Sequence, residues 1–342
     1  MIMVKRKPSS SKKIDLFVDQ PAEWLRTTGP DSDVVVSSRI RLARNIDGYP
    51  FLPKLQKKQK EEIISDVEAA VCKTQQLKNT LFFRKNELSE LDHQFLLERH
   101  LISREYAGEE GERAVAITPN EVVSMMVLEE DHLRLQAFQS GFNLQETWRI
   151  ISQLDDELEK NLPYSFDAKR GYLTACPTNV GTGIRASCML HLPSLVITKQ
   201  VQKVLQALSK LNLAARGLYG EGTQATGNYF QFSNQMTLGQ NEEEIIDNLV
   251  SVIRQVVAHE KDARTHLREK RRSKFEDQIW RALGTLKSAR LMTSQEATQL
   301  LSLLQLGVQI GIIGTKVEKA DLNSLFLLIQ PAHLQKIRKK AL

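Results

Sequence analysis

Cysteine is scarce in this chain: Cys72, Cys176 and Cys188 are the only three in 342 residues. An odd, widely spaced set cannot complete a disulfide framework and matches no zinc-ligand spacing. Cys72 and Cys188 read as small buried hydrophobes. No apolar run approaches the roughly 20 residues that a membrane helix requires. Met1 to Lys13 is charged and serine-rich with no apolar stretch behind it, so it is not a secretory signal, and a cytoplasmic location without membrane contact is the expectation. Internal repeats and low-complexity linkers are absent. So are the G-x-x-x-x-G-K-[ST] loop and the H-R-D and D-F-G tripeptides, which excludes the commonest ways of holding a nucleotide.

What is present is an ordinary globular composition, 41% hydrophobic and 26% charged. The length favours one large and one small domain. The net charge of +6 is unevenly placed: five cations lie in residues 1–14 and four in residues 331–342, with no acid in the latter. Without those nine the body is acidic by three, so a nucleic-acid groove through the core is not implied. Arg264 to Lys274 carries six cations and one acid and reads first as a solvated helix face.

Periodicity gives an α+β order. Residues 1–32 are a basic tail and lead-in segment, with Trp24-Leu25 expected to pack on the body. Val34-Val35-Val36 begins a strand that delivers Arg39 and Arg41 on one face, with Arg44 out of that register in a supporting role. Helices are expected over 57–78, over Ser89–Leu101 (Ser89 and Asp92 forming a capping box), over Leu144–Asn161, over Ala186–His191 and over Lys199–Leu211. Strands are expected at Val115–Thr118, Val122–Leu128, Leu133–Phe138, Leu213–Arg216 and Tyr229–Phe232. Tyr219 to Asn228, with Gly220, Gly222 and Gly227, has the composition of a mobile loop. From Asn241 the pattern is helical, with capping pairs Asn241–Glu244 and Thr293–Glu296 and a stop near Gly307.

Four blocks carry chemistry: Ser37-Ser38-Arg39-Ile40-Arg41-Leu42-Ala43-Arg44-Asn45, Leu128-Glu129-Glu130-Asp131-His132-Leu133-Arg134, Cys176-Pro177-Thr178-Asn179-Val180-Gly181-Thr182, and Arg216-Gly217-Leu218-Tyr219-Gly220-Glu221. Together they supply carboxylates that could orient a guanidinium and take its proton, and arginine forks that match phosphate oxygens. Singly, each has a plainer reading. Glu129-Glu130-Asp131 alone is a solvated turn, a lone arginine is a surface ion pair, and His100 alone is a cap or core residue. Gly181 to Ala186 formally fits G-x-G-x-x-A, but no strand–turn–helix unit with a following acid accompanies it.

In this order the four blocks closely resemble the catalytic domain of the phosphagen (guanidino) kinase family, most of all its bacterial protein-arginine kinase branch, from about Asp33 onward. The resemblance implies an antiparallel sheet flanked by helices over residues 33–263, followed by a small all-helical domain over 264–342 that dimerises. It implies Glu130 and Glu221 as guanidinium-binding carboxylates and Cys176 beside the reacting group. ATP, with Mg2+, is expected at Ser37, Ser38, Arg39, Ile40, Arg41, His100, Arg134, Arg185, Ala186, Ser187, Cys188, Met189, Arg216, Gly217, Leu218, Tyr219, Gly220 and Glu221, and no dedicated protein metal site is expected. Leu128 stands where many members have asparagine.

The implied activity is ATP-dependent phosphorylation of arginine side chains in proteins. Metabolic members carry about a hundred helical residues before the Ser-Ser-Arg-Ile-Arg block, and here it starts at Ser37, which favours an open site for a polypeptide. Kinase action on free arginine and a silent arginine-binding adaptor are the alternatives; the presence of both glutamates and all five arginines disfavours the adaptor. By resemblance the setting is protein quality control, with an activator protein and a Clp-type protease as partners. No RDxxRA motif is found near the last residues, so feedback control by phosphoarginine is not implied.

Overall fold

In the computed structural model, residues 13–217, 226–270, 272–314 and 319–341 are described. Ten strands are present among them: β1 Val35–Arg44, β2 Leu81–Arg84, β3 Ala114–Ile117, β4 Val123–Val127, β5 Leu133–Ser140, β6 Phe166–Asp167, β7 Gly171–Tyr172, β8 Ile184–His191, β9 Leu213–Gly217 and β10 Tyr229–Asn234. The helices are α1 Lys57–Lys73, α2 Glu90–Glu98, α3 Arg104–Gly108, α4 Leu144–Glu159, α5 Pro193–Ile197, α6 Val201–Lys210, α7 Glu242–Lys270, α8 Arg272–Ser288, α9 Ser294–Gln309, α10 Lys319–Leu328 and α11 Pro331–Ala341.

Eight strands form one antiparallel sheet in the order β2-β3-β4-β5-β1-β8-β10-β9, and β6-β7 make a separate hairpin. The α+β class expected from sequence is therefore present. Strand alternation gives the large sheet two unlike faces. Ile40, Leu42, Leu135, Ala137, Ile184, Ala186, Cys188, Phe230 and Phe232 point into the main core. There they meet Ile63, Ile64 and Val67 of α1, Ile151, Leu154 and Leu158 of α4, and Ile245, Leu249 and Ile253 of α7. On the other face, Phe95 and Leu96 of α2 cover only the β2–β4 side, against Phe83, Val115, Ile117 and Met126. Over β5, β1, β8 and β9 that face carries arginines instead.

The C-terminal helices have their own core of Phe275, Ile279, Leu301, Leu304, Leu306 and Leu322. α7 runs unbroken through residue 263, so the boundary expected there falls inside a helix. α9 ends at Gln309, just past Gly307, near the expected stop. A Cβ at Gly307 would lie 2.5 Å from Ile279 Cγ2, so glycine permits α8 and α9 to approach closely. No described helix is long and apolar enough to cross a membrane.

Three sequence expectations need correction. Ala186–His191 is not helical but most of strand β8, because Ile184, Ala186, Cys188 and Leu190 enter the main core while Arg185, Ser187 and Met189 lie on the opposite, arginine-bearing face. Cys72 is exposed, since α1 turns it away from the core that Val67, Ala70 and Val71 enter. Arg264 is not on a solvated face: it is buried and bound to Glu260 at 3.1 Å and Asp33 at 3.0 Å. The basic C-terminal end is α11, where Lys336 pairs with Asp15 at 2.7 Å and with buried Asp92, and Lys340 pairs with Asp19. Trp24 and Leu25 pack on the body as expected, 4% and 5% exposed.

Candidate active site

β1 lies at the centre of the sheet and pairs Arg41 with Gln136 on one side and Arg185 on the other, while Arg39 faces Phe138 and Ser187. One strand further, Gln231 stands opposite Arg216. Cross-strand neighbours share a face, so Arg39, Arg41, Arg134, Arg185 and Arg216 converge although they come from four strands. Arg39, Arg41, Arg134 and Arg216 line a cavity of about 230 Å³ with His100, Ser103, Arg104, Glu105, Gln136 and Gln231.

Few acids balance these charges. Arg134 holds buried Glu129 through contacts of 2.6 and 2.7 Å, and Ser103 donates to the same carboxylate at 2.6 Å. Burial alone would raise the Glu129 carboxyl, but Arg134, Ser103 and Arg41 outweigh it and hold it below its usual range. Burial, with Arg134 and Arg185 nearby, lowers Arg39 to about 9. Burial and the Arg216 and Arg134 charges lower Arg185 to about 10, and Arg41 is pushed well below its usual value by burial and then Arg39, Arg134 and Arg185. Arg39 reaches Gln231 Oε1 at 2.9 Å and Arg185 reaches Ser233 Oγ at 3.3 Å. Arg41 Nε and Arg185 Nε are buried without a hydrogen-bond partner. Buried donors left open on mutually repelling guanidiniums are matched by a polyanion. His100 edges the same cavity; burial and Arg39 depress its ring to about 3, so it is neutral at pH 7.

A second cluster lies beyond the far end of β1. Asn45 donates to Asp131 Oδ1 at 2.7 Å and accepts from the His132 N–H at 2.9 Å, fixing the turn between β4 and β5. Asp131 Oδ1 also accepts from the Ala175 N–H at 2.6 Å, which ties that turn to the Cys176 loop. The Glu130 side chain is 44% exposed, 4.0 Å from Arg134, and accepts from Asn179 Nδ2 at 3.4 Å. Cys176 Sγ lies 3.0 Å from Thr178 Oγ1. A carboxylate and a half-exposed thiol therefore stand together at one edge of the arginine surface. Leu128, which opens the turn, is wholly buried and has φ +60°, a conformation costly for a branched side chain.

Of the sequence-derived set, alternation turns the side chains of Ser38, Ile40, Ala186 and Cys188 to the core face, leaving only their backbone near the arginines. Ser37, Ser187 and Met189 line a small adjoining cavity with Trp24, Arg39, His100, Phe138 and Gln231. Gly217 ends edge strand β9. Leu218, Tyr219, Gly220 and Glu221 lie outside the described residues. Arg44 is in the supporting role expected: it is buried, bonded to Asp155 at 2.7 and 3.0 Å, and lies 3.5 Å above the Tyr172 ring. Sequence reasoning missed Gln231, Ser103 and the Asn45–Asp131 tie. Gln231 was recoverable from alternation on β10; the others depend on long-range packing.

Residues 62–263 match the family described as ATP:guanido phosphotransferase, C-terminal catalytic domain, and residues 272–342 match the protein-arginine kinase McsB C-terminal domain. The chain is 48% identical to the protein-arginine kinase of Desulforamulus reducens over 93% of its own length and 89% of the relative's. It is equally identical, 48%, to that of Symbiobacterium thermophilum, over 92% and 90% of the two chains. In fold it is similar to a lombricine kinase, with TM-score 0.61 and 22% identity over 70% of each chain. It is also similar to the duplicated taurocyamine kinase of Schistosoma mansoni, with TM-score 0.60 and 24% identity, covering 74% of this chain but 38% of that one. Sharing a catalytic-domain family over most of its length, and nearly half its residues with named protein-arginine kinases, the chain belongs to the ATP:guanido phosphotransferase family, in its protein-arginine kinase branch.

Proposed function

We infer that this chain is an ATP-dependent protein-arginine kinase. The single observation that carries the reading is the surface of five converging arginines with open donors, bordered at one edge by Glu130 and Cys176. The arginines would hold the triphosphate and neutralise charge that develops on the transferring group. Mg2+ would arrive with ATP, bound mainly by phosphate oxygens and water. Glu130, with Glu221 from the loop, would orient the guanidinium of a substrate arginine. As the N–P bond forms and the bond from the γ-phosphorus to the bridging oxygen breaks, ADP leaves and a guanidinium proton passes to a carboxylate. Cys176 would position the acceptor.

Acid-free mass spectrometry of an unfolded model protein after incubation with enzyme and MgATP tests this directly. Phosphoarginine should accumulate; its absence, with free arginine turned over instead, would make the enzyme a small-molecule kinase. Glu130→Gln should abolish transfer while ATP affinity stays within about tenfold (about 1.4 kcal/mol) of wild type. We further propose a cytoplasmic homodimer acting in protein quality control with an activator protein and a Clp-type protease, the setting that the resemblance to protein-arginine kinases implies.

A further inference from the structure

The C-terminal helices reach the arginine cleft at the end away from Glu130. Phe326 of α10 is buried with its ring 6.4 Å from Trp24, edge-on, and 4.8 Å from Tyr229. Trp24 in turn stands edge-on to His100 at 4.8 Å, and His100 lines the cleft beside Arg39. Tyr229 donates its hydroxyl to Gln305 of α9 at 2.7 Å. Two residues along the same strand, on the same face, Gln231 accepts from Arg39 at 2.9 Å. The Tyr229 ring also stacks on His191 at 4.7 Å, and Ser302 of α9 bonds both His191 Nε2 at 2.8 Å and Asn228 Nδ2 at 2.9 Å. A third tie comes from α11. Glu98, which lines the cleft, accepts the N–H groups of Ala332 and His333 at 2.8 and 3.1 Å.

The direction of the bound nucleotide follows from β1. Asn45 fixes the acidic turn, and Arg39 lies six residues back along an extended strand, about 20 Å at about 3.3 Å per residue. The transferred phosphoryl group must sit near the acids, so the sugar and base fall toward Arg39 and His100. There the walls are Trp24, Phe138 and Met189. We propose that the C-terminal helices shape this nucleoside end of the cleft. Phe326 is the positioning residue, acting through Trp24 on His100 and through Tyr229 on the Gln231–Arg39 pair. The inference rests on the nucleotide reading above. Its physical basis is close packing: a ring removed between Trp24 and Tyr229 leaves a void into which both can shift, and neither then holds its cleft neighbour.

Phe326→Ala should raise Kd and KM for MgATP by about tenfold and leave kcat and KM for the protein substrate within about twofold. Leu322→Ala, in the core internal to the C-terminal helices, serves as the control: its melting temperature should fall while ATP Kd stays at the wild-type value. Gln305→Leu, which strands the Tyr229 hydroxyl, should also weaken ATP binding and keeps the test decisive should Phe326→Ala not fold. Unchanged ATP affinity in Phe326→Ala or, failing its folding, in Gln305→Leu would overturn the proposal. So would equal weakening in Leu322→Ala, which would trace the effect to general loosening. Wild-type protein that does not bind MgATP would remove the nucleotide reading itself, and this inference with it.

Discussion

A guanidinium among other guanidiniums destabilises the empty protein, and Arg41 shows the effect most clearly, with three arginines acting on it and Nε unbonded. Arg41→Met should therefore raise the ligand-free melting temperature by about 2–4 °C per kcal/mol of repulsion relieved, while abolishing the further rise that MgATP gives wild type. Differential scanning fluorimetry with and without MgATP measures both; a lower melting temperature without ligand would mean that Arg41 is held by something other than an absent anion. Arg185→Lys keeps the charge but not the fork, and most turnover should be lost; near-wild-type kcat in that variant would remove Arg185 from the phosphate clamp. The arginines were legible because strands alternate. The division between the two glutamates was not, since nothing local says that Arg134 will fold back onto Glu129 and leave Glu130 open.

At the scale of elements, the site depends on a few ties between segments distant in sequence. Asp131 joins the turn after β4 to the Cys176 loop, and Asp131→Ala would strand the Ala175 N–H and leave Asn45 Nδ2 with only the Leu173 carbonyl as acceptor. The expected cost is about 1–3 kcal/mol of stability, with kcat falling more than about a hundredfold, the scale of a misplacement of about 1 Å, and ATP Kd unchanged. Denaturant unfolding and steady-state kinetics give the two numbers; retained kcat would sink the positioning role. Gly181 is a second tie. It has φ +108°, and a Cβ there would lie 2.2 Å from the Thr237 carbonyl oxygen, so Gly181→Ala should displace the same loop. Helices capped by Ser89, Asn241 and Thr293 could be read directly, because each cap bonds its own third residue. β8 was misread because Ala, Met and Leu favour helices and its apolar residues also fit helical spacing. Its alternation of the polar Arg185 and Ser187 with the apolar Ile184, Ala186 and Cys188 was the competing signal, and pairing with both β1 and β10 decided the matter.

At the scale of the whole molecule, Glu130 is exposed and Cys176 half-exposed, so on the proposed function the described residues leave the acceptor side accessible. Flanking backbone can then add binding energy that free arginine lacks. At equal MgATP, kcat/KM for an arginine-containing unfolded protein should exceed that for free arginine by at least about a hundredfold, about 2.7 kcal/mol of transition-state binding; equal values would mean an acceptor site built for a small molecule. An open acceptor side was expected from the sequence, whereas the path from Phe326 to Arg39 became visible only once the chain was folded, because it joins Trp24 to Phe326 and Arg39 to Gln231 across long stretches of chain.

The two unlike faces of the sheet carry one more consequence, for assembly. β1 must find β5 about a hundred residues downstream and β8 about a hundred and fifty, a long search with many near-misses. A slip of one residue would drive Arg39 and Arg41 into the aliphatic interior and expel Ile40 and Leu42 into water. Such mispairing is strongly disfavoured, so on the proposed function the guanidiniums that would bind the anion would also reject wrong registers while the chain folds. Single-residue insertions or deletions within 37–42 should accordingly be lost from any library selected for soluble protein alone, before catalysis is ever assayed.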